Sequence, residues 1–215
     1  MIGIFGGTFD PVHYGHLKTV LFVQQQLGLQ QIRLIPLGQA VHREQPAATA
    51  SQRLEMLYAA TADYPQLVID DRETKRPGGS YTVDTLSSIK QELPDEALCL
   101  IIGSDAFAHF LDWHKPETIM TLAHIIVMQR PDSQPLTNPA IQKLLDQRQI
   151  TSAEQLKESV AGKILPIQVP QLDISSTGIR DRLQSDLTIS HLLPLPVYEL
   201  ITHWKLYKKS SEEPD

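Results

Sequence analysis

The chain has 215 residues, 41% hydrophobic and 20% charged, which suits one soluble α/β-sized domain with a sizeable core. Its formal net charge of −6 argues against a nucleic-acid duplex as partner, because neutralising backbone phosphates needs a basic face. A small anionic ligand remains allowed, held by a few cations and backbone N–H groups.

Cys99 is the one cysteine, which excludes an intramolecular disulfide, and Leu98 and Leu100 beside it mark a buried core thiol. The chain runs at once into a strand-like segment without a signal-peptide pattern, and no apolar run approaches the ~18 residues of a membrane span. A cytoplasmic protein without membrane contact is expected.

Ile2–Phe5 reads as a short buried strand. A helix over His16–Leu27 follows, with Leu17, Val20, Leu21 and Leu27 mostly on one face and Gly28 placed to end it. Ile32–Ile35 is the next strand, closed by Pro36. The polar stretch from Gly38 to Ala50 lacks periodicity and reads as a mobile loop. Gln52–Tyr64 carries Leu54, Leu57, Tyr58 and Thr61 at helical spacing. Leu67–Asp70 is a strand, with Asp70, Asp71 and Glu73 as an acidic patch at its end. Val83–Leu93 is a helix for which Thr82 is the expected N-cap.

Leu98–Ile102 and Ile125–Met128 are continuous apolar runs of the kind that central parallel strands show. Pro131–Gly162 is polar and helix-prone, an excursion from the sheet. Ile164–Val169 is a strand, Ser176–Gln184 a short helix and Val197–Tyr207 a closing helix. Lys208–Asp215 is a charged tail expected to be unordered. The alternation predicts an α/β fold with a doubly wound parallel sheet in a single domain over residues 1–207.

Chemistry concentrates between the first strand and the first helix, in Gly6-Gly7-Thr8-Phe9-Asp10-Pro11-Val12-His13-Tyr14-Gly15-His16. Ligands of open α/β sheets bind at the carboxyl ends of the strands. Gly6 and Gly7 let a nucleotide approach the backbone, and the helix start offers free N–H groups to phosphate. His13 and His16 can face one point there and stabilise charge growing on a phosphate under attack. The glycine spacing matches neither a P-loop nor a Gly-x-Gly-x-x-Gly turn, and no Cys or His-Glu-x-x-His supports a protein-held metal. By spacing alone, a solvent-facing or capping role for the histidines stays open.

With the Gly-Gly-Thr-Phe-Asp-Pro prefix, this stretch resembles the signature of the nucleotidyltransferase superfamily whose hallmark is a His-x-Gly-His turn. Within it, the chain is similar to the bacterial nicotinate-nucleotide adenylyltransferases. Gly79-Ser80-Tyr81-Thr82-Val83-Asp84-Thr85-Leu86, Ile101-Ile102-Gly103-Ser104-Asp105, Trp113 and Ile174-Ser175-Ser176-Thr177-Gly178-Ile179-Arg180 carry that narrower likeness.

The resemblance implies a Rossmann-like nucleotidyltransferase fold and adenylyl transfer from ATP to nicotinate mononucleotide. It implies His13, His16, Arg43 and Arg180 as the catalytic groups. ATP would be held by Gly6, Gly7, Thr8, Phe9, His42, Gly103, Asp105, Ser175, Ser176 and Thr177. Tyr81, Thr82, Trp113, His114 and Arg130 would hold the acceptor, with Trp113 stacking on its pyridine ring and N–H groups near Thr82 and His114 on its carboxylate. Mg²⁺ would be bound mainly through ATP phosphates.

The chain departs from the family in one loop, where Ala40-Val41 replaces the usual Pro-Pro ahead of His42-Arg43 and should leave the loop less rigid. A superfamily member acting on phosphopantetheine or on a sugar or flavin phosphate, and a nucleotide-binding regulator without catalysis, are the alternatives. Monomer and homodimer both stay open.

Overall fold

The computed structural model describes residues 1–41, 44–131 and 136–208. Its centre is a sheet of six parallel strands: β1 (Ile2–Gly7), β2 (Gln31–Pro36), β3 (Leu67–Ile69), β4 (Leu98–Gly103), β5 (His124–Gln129) and β6 (Ile164–Gln168). Their spatial order is β3-β2-β1-β4-β5-β6. Strand order therefore reverses between β1 and β4, the place where ligands bind in such sheets.

Both faces of the sheet are covered. Along β4, Cys99 and Ile101 pack on one face while Leu98, Leu100 and Ile102 pack on the other. This is why the strand reads as an unbroken apolar run. The first face carries α1 (Tyr14–Leu27), α2 (Ala50–Thr61), α8 (Ser176–Gln184) and α9 (Leu195–His203), through Leu17, Leu57, Ile179 and Val197. The second carries α4 (Thr82–Glu92), α6 (Pro116–Leu122) and α7 (Pro139–Arg148), through Leu86, Ile119 and Ile141. Two short helices, α3 (Arg72–Lys75) and α5 (Ser104–Ala108), follow β3 and β4.

Several boundaries differ from the sequence reading. Helix α1 begins at Tyr14, with His13 as an N-cap that makes no side-chain bond. Thr82 is the first residue of α4 and not its cap, which is Tyr81. Helix α9 stops at His203, and the chain then turns through left-handed Lys205 and Tyr207, φ 54° and 63°. The segment read as an excursion holds α7, capped by the Asn138 side chain, and rejoins the sheet where the Ile150 N–H donates to the Ile164 carbonyl at 2.9 Å. Of the expected tail, only Lys208 lies among the described residues.

The acidic patch is a set of partnered groups. Asp70 is clamped by Arg33 at 3.1 Å and Arg72 at 2.8 Å, and Glu92 joins both arginines. Glu73 is buried and accepts a hydrogen bond from the Thr85 hydroxyl at 2.7 Å. The expected mobile loop is fastened at both ends. Gln39 bridges to Gly79, and Thr49 and Gln52 form a capping box that starts α2 two residues ahead of the sequence reading.

One side chain ties the ends of β1 and β2 together. Arg53, 1% exposed on α2, donates to the Thr8 carbonyl at 2.9 Å and to the Leu37 carbonyl at 2.7 Å. Replacing it by Met keeps the bulk and removes both of these hydrogen bonds. Arg53→Met should cost about 2–4 kcal/mol of stability and lower the melting temperature by roughly 5 °C or more. A thermal melt within 1 °C of the parent's, on the order of experimental error, would refute that anchoring role.

Candidate active site

Beyond Gly7 the chain turns sharply before α1. Phe9 adopts φ 51° and drives its ring, 1% exposed, edge-on against His16 at 5.1 Å between centroids. A Cβ on Gly7 would sit 2.9 Å from that ring, so the turn closes around Phe9 only with glycine there. The two histidine rings stack at 3.8 Å with 29° between their planes. Gly15 between them is equally constrained, because a Cβ would lie 2.8 Å from the His13 Nδ1 and 3.0 Å from the Ile174 carbonyl.

Both Nδ1 atoms are buried without a hydrogen-bond partner among the described residues. Buried polar atoms are normally satisfied, and groups left open at the start of a helix beside the strand ends are suited to a ligand. Burial, and after it the Arg130 cation, hold the His13 pKa down at about 4. Burial also holds the His16 pKa well below 6.5, with His13 adding to the effect. The ligand-free pair is therefore neutral at pH 7.

Two cavities draw on the ends of β1 and β4. The smaller, about 240 Å³, is lined by His13, His16, Gly103, Asp105, Arg130, Ser175 and Ser176. The larger, about 600 Å³, is lined by Gly6, Gly7, Glu73, Tyr81, Thr82, Trp113 and His114, over a floor of Ile4, Ile35 and Leu100. Added Cβ atoms on Gly6 or Gly103 would meet nothing within 4 Å. These glycines leave room at the strand ends that none of the described residues fills.

The wall of the smaller cavity is tied to the signature turn. Ser175 caps α8 by accepting from the Gly178 N–H at 3.0 Å. The Ser176 hydroxyl donates to the Pro11 carbonyl at 2.9 Å, and Arg180 donates to the Asp10 carbonyl at 2.7 Å and the Thr177 hydroxyl at 3.2 Å. In the larger cavity Trp113 is braced by Phe110 at 5.7 Å, and the Tyr81 and His114 rings lie 4.6 Å apart.

The structure sorts the sequence candidates. His13, His16, Gly103, Asp105, Ser175 and Ser176 converge on the smaller cavity, and Tyr81, Thr82, Trp113 and His114 on the larger. Arg130, grouped in the sequence reading with the acceptor contacts, stands instead in the smaller cavity beside the histidines. Gly6 and Gly7 line the larger cavity and not the smaller one beside the histidines. The Phe9 ring is a buried wedge, and the Thr8 carbonyl is taken by Arg53. Thr177 and Arg180 are among the lining residues of neither cavity; Arg180 is held between the Asp10 carbonyl and the Thr177 hydroxyl. His42 and Arg43 lie outside the described residues.

Sequence reasoning missed Asp10, Arg53, Glu73 and Tyr207. Asp10 accepts from the Ala47 N–H at 2.8 Å, the Ala48 N–H at 3.1 Å and the Tyr207 hydroxyl at 2.6 Å. Its place inside the signature was the only available signal.

A cytidylyltransferase-like family model matches residues 4–182. A probable nicotinate-nucleotide adenylyltransferase of Methylococcus capsulatus is 46% identical over 210 residues, 97% of this chain and 100% of the relative. A nicotinate-nucleotide adenylyltransferase of Escherichia coli is 43% identical over 208 residues, 95% of this chain and 97% of the relative. Among solved structures, the Plasmodium falciparum nicotinic acid mononucleotide adenylyltransferase complexed with NaAD shares the fold with a TM-score of 0.74 at 19% identity, covering 96% of each chain.

The depressed His13 pKa makes stability depend on pH. The unfolded chain binds a proton near 6.5 that the folded chain refuses until about 4, so stability rises with pH across that window and is flat above it. The loss between pH 6.5 and 4 from this group is on the order of 3 kcal/mol. Urea unfolding of the ligand-free protein at pH 4.5 and 7 should show that slope, and His13→Gln should reduce it. A variant with an unchanged slope would count against a neutral buried His13.

Proposed function

The chain belongs to the nicotinate-nucleotide adenylyltransferases, within the cytidylyltransferase-like family, and we propose that His13, His16 and Arg180 stand at the centre of the transfer it performs. It is an enzyme that moves the adenylyl group of ATP onto nicotinate mononucleotide, giving nicotinate adenine dinucleotide and pyrophosphate in NAD biosynthesis. The observation that carries the residue assignment is the pair of cavities opening either side of the β1–β4 ends, with the stacked histidines in one and Trp113 in the other.

ATP occupies the smaller cavity in this reading. Asp105 accepts from ribose hydroxyls, while the hydroxyls of Ser175, Ser176 and Thr177 and the guanidinium of Arg180 hold the outer phosphates. Arg130 adds positive charge beside the histidines. His42 and Arg43 belong to the same phosphate grip in the family pattern. Nicotinate mononucleotide occupies the larger cavity, whose volume suits a ligand of that size. Trp113 stacks on the pyridine. Helix α4 starts at Thr82, and the first N–H groups of a helix lack intrahelical partners, which suits a carboxylate.

The 5′-phosphate oxygen of the mononucleotide attacks the α-phosphorus of ATP in line. A new P–O bond forms, the bond from the α-phosphorus to the β-phosphate bridging oxygen breaks, and pyrophosphate leaves with that electron pair. No side-chain nucleophile takes part. Neutral His13 and His16 donate N–H bonds to the α-phosphate oxygens and meet the charge that grows there.

Among the described residues no group of three His, Cys, Asp or Glu could hold a metal ion. Mg²⁺ would be carried on ATP phosphates and water, with Asp105 the carboxylate among the residues lining the smaller cavity. Bound there, it would offset phosphate charge.

Pyrophosphate release with ATP and Mg²⁺ tests the reading. Nicotinate mononucleotide should be used at least about tenfold better than nicotinamide mononucleotide, because a neutral amide cannot match the charge-assisted bonds of the acid. Equal use would remove the carboxylate assignment at Thr82 and His114. His16→Ala should lower kcat by about a hundredfold or more while the KM for ATP changes far less. Parallel losses in both would remove His16 from the transfer step.

A further inference from the structure

We propose that Tyr207 is a positioning residue of the active site, acting through Asp10 from the far end of the chain. The inference rests on the functional reading above and adds to it a residue that lines neither cavity. The Tyr207 hydroxyl donates to Asp10 Oδ1 at 2.6 Å across 197 residues of sequence. Asp10 is 3% exposed and lies within the signature turn, three residues before His13.

Asp10 joins the segments that build the site. Its carboxylate receives the Ala47 and Ala48 N–H groups, at the end of the loop that carries His42 and Arg43 in the sequence. Its own carbonyl receives the Arg180 guanidinium from α8. A carboxylate this buried keeps one orientation only if its oxygens are satisfied by fixed donors. Two of the three donors to that carboxylate are backbone groups of the loop it has to hold. Among the described residues Tyr207 is the third and the one from outside the loop, so it sets the carboxylate independently of the loop.

The backbone around Tyr207 is consistent with a conformation imposed by this contact. Lys205 and Tyr207 both take left-handed φ values, 54° and 63°, that non-glycine residues adopt rarely. The Leu206 N–H donates to the Ile201 carbonyl at 3.0 Å, and the rings of Trp204 and Tyr207 pack against the first core. The chain leaves α9 in a tight reversal that delivers one hydroxyl to one carboxylate oxygen. Burial and the adjacent Asp10 carboxylate both raise the Tyr207 pKa, so the hydroxyl stays a donor at any working pH.

Tyr207→Phe keeps the ring and its packing and removes only the donor. The variant should retain the parent's circular dichroism, and its amides at Ala47 and Ala48 should exchange hydrogen faster than the parent's. Its kcat should fall about tenfold, with the KM for nicotinate mononucleotide within about twofold, because the Trp113 cavity is untouched. Tyr207→Leu should behave alike if the hydroxyl is what matters, and worse in melting temperature alone if the ring is. An unchanged kcat in Tyr207→Phe, or unchanged exchange at Ala47 and Ala48, would overturn the proposal even if the protein melts earlier. The parent's own turnover is measured alongside: a parent inactive with nicotinate mononucleotide would fail the functional reading, whereas an active parent with an equally active variant would fail only this inference.

Discussion

Everything at the site follows from the handedness of the strand connections. Parallel neighbours in a sheet are joined by right-handed crossovers, so moving outward from the centre in opposite directions places the connecting helices on opposite faces. Here β1 passes through α1 to β2 on the first face, and β4 passes through α5 and α6 to β5 on the second. At the strand ends the chain parts to either side, and the backbones of β1 and β4 are left uncovered between. Gly6 and Gly103 stand at those ends with open space where a Cβ would go. The two cavities are the consequence, one on each side of the divide.

The same turn controls the electrostatics. Packing Phe9 under His16 and stacking His16 on His13 takes both imidazoles out of water, which disfavours their charged forms. A charged pair 3.8 Å apart would repel, and Arg130 alongside makes it worse. The site therefore keeps two neutral donors, with its fixed positive charge on the arginines. Neutrality spares the empty protein the larger cost of burying two charges. In the proposed function, an arriving triphosphate would reverse the local field and strengthen the imidazole donors where negative charge builds up.

Much of the scaffold was legible in the chain. The strands announce themselves because both faces of the sheet are covered, which turns β4 and β5 into apolar runs, and α1, α2 and α4 show a single buried stripe. Helices α3, α5 and α6 were not read, since four to seven residues give too few turns for a period to stand out. The signature and the segments at Tyr81, Asp105, Trp113 and Ser175 could be found as motifs. Which cavity each residue faces could not. Arg130 was grouped with the acceptor contacts, and a strand end says nothing about which of two adjoining cavities a residue lines. Glu73 looked like surface acid beside Asp70 and Asp71, yet its partner Thr85 lies twelve positions on, across a helix boundary. Tyr207 read as the last turn of a helix, and only the left-handed turn after His203 reveals it as something else.

The loop where Ala40-Val41 replaces the family's two prolines shows how one constraint can stand in for another. Proline narrows the conformations of a free loop and so lowers the entropy lost on ordering it. Hydrogen bonds at the loop's base do a related job from the folded side. The Ala40 N–H donates to the Gln45 side chain at 3.3 Å and the Gln45 amide returns a bond to the Ala40 carbonyl at 3.0 Å. Those two bonds join Ala40 to Gln45. Gln39 is held against Gly79, whose missing side chain admits Val41, because a Cβ there would lie 2.4 Å from the Val41 methyl. On the far side Asp10 fixes Ala47 and Ala48, and Thr49 opens α2 through its capping box. Loop-closure cost grows only slowly with length, so shortening the free span matters less than fixing its ends. With both ends anchored, the stretch between them needs little stiffness of its own, and proline can be dispensed with.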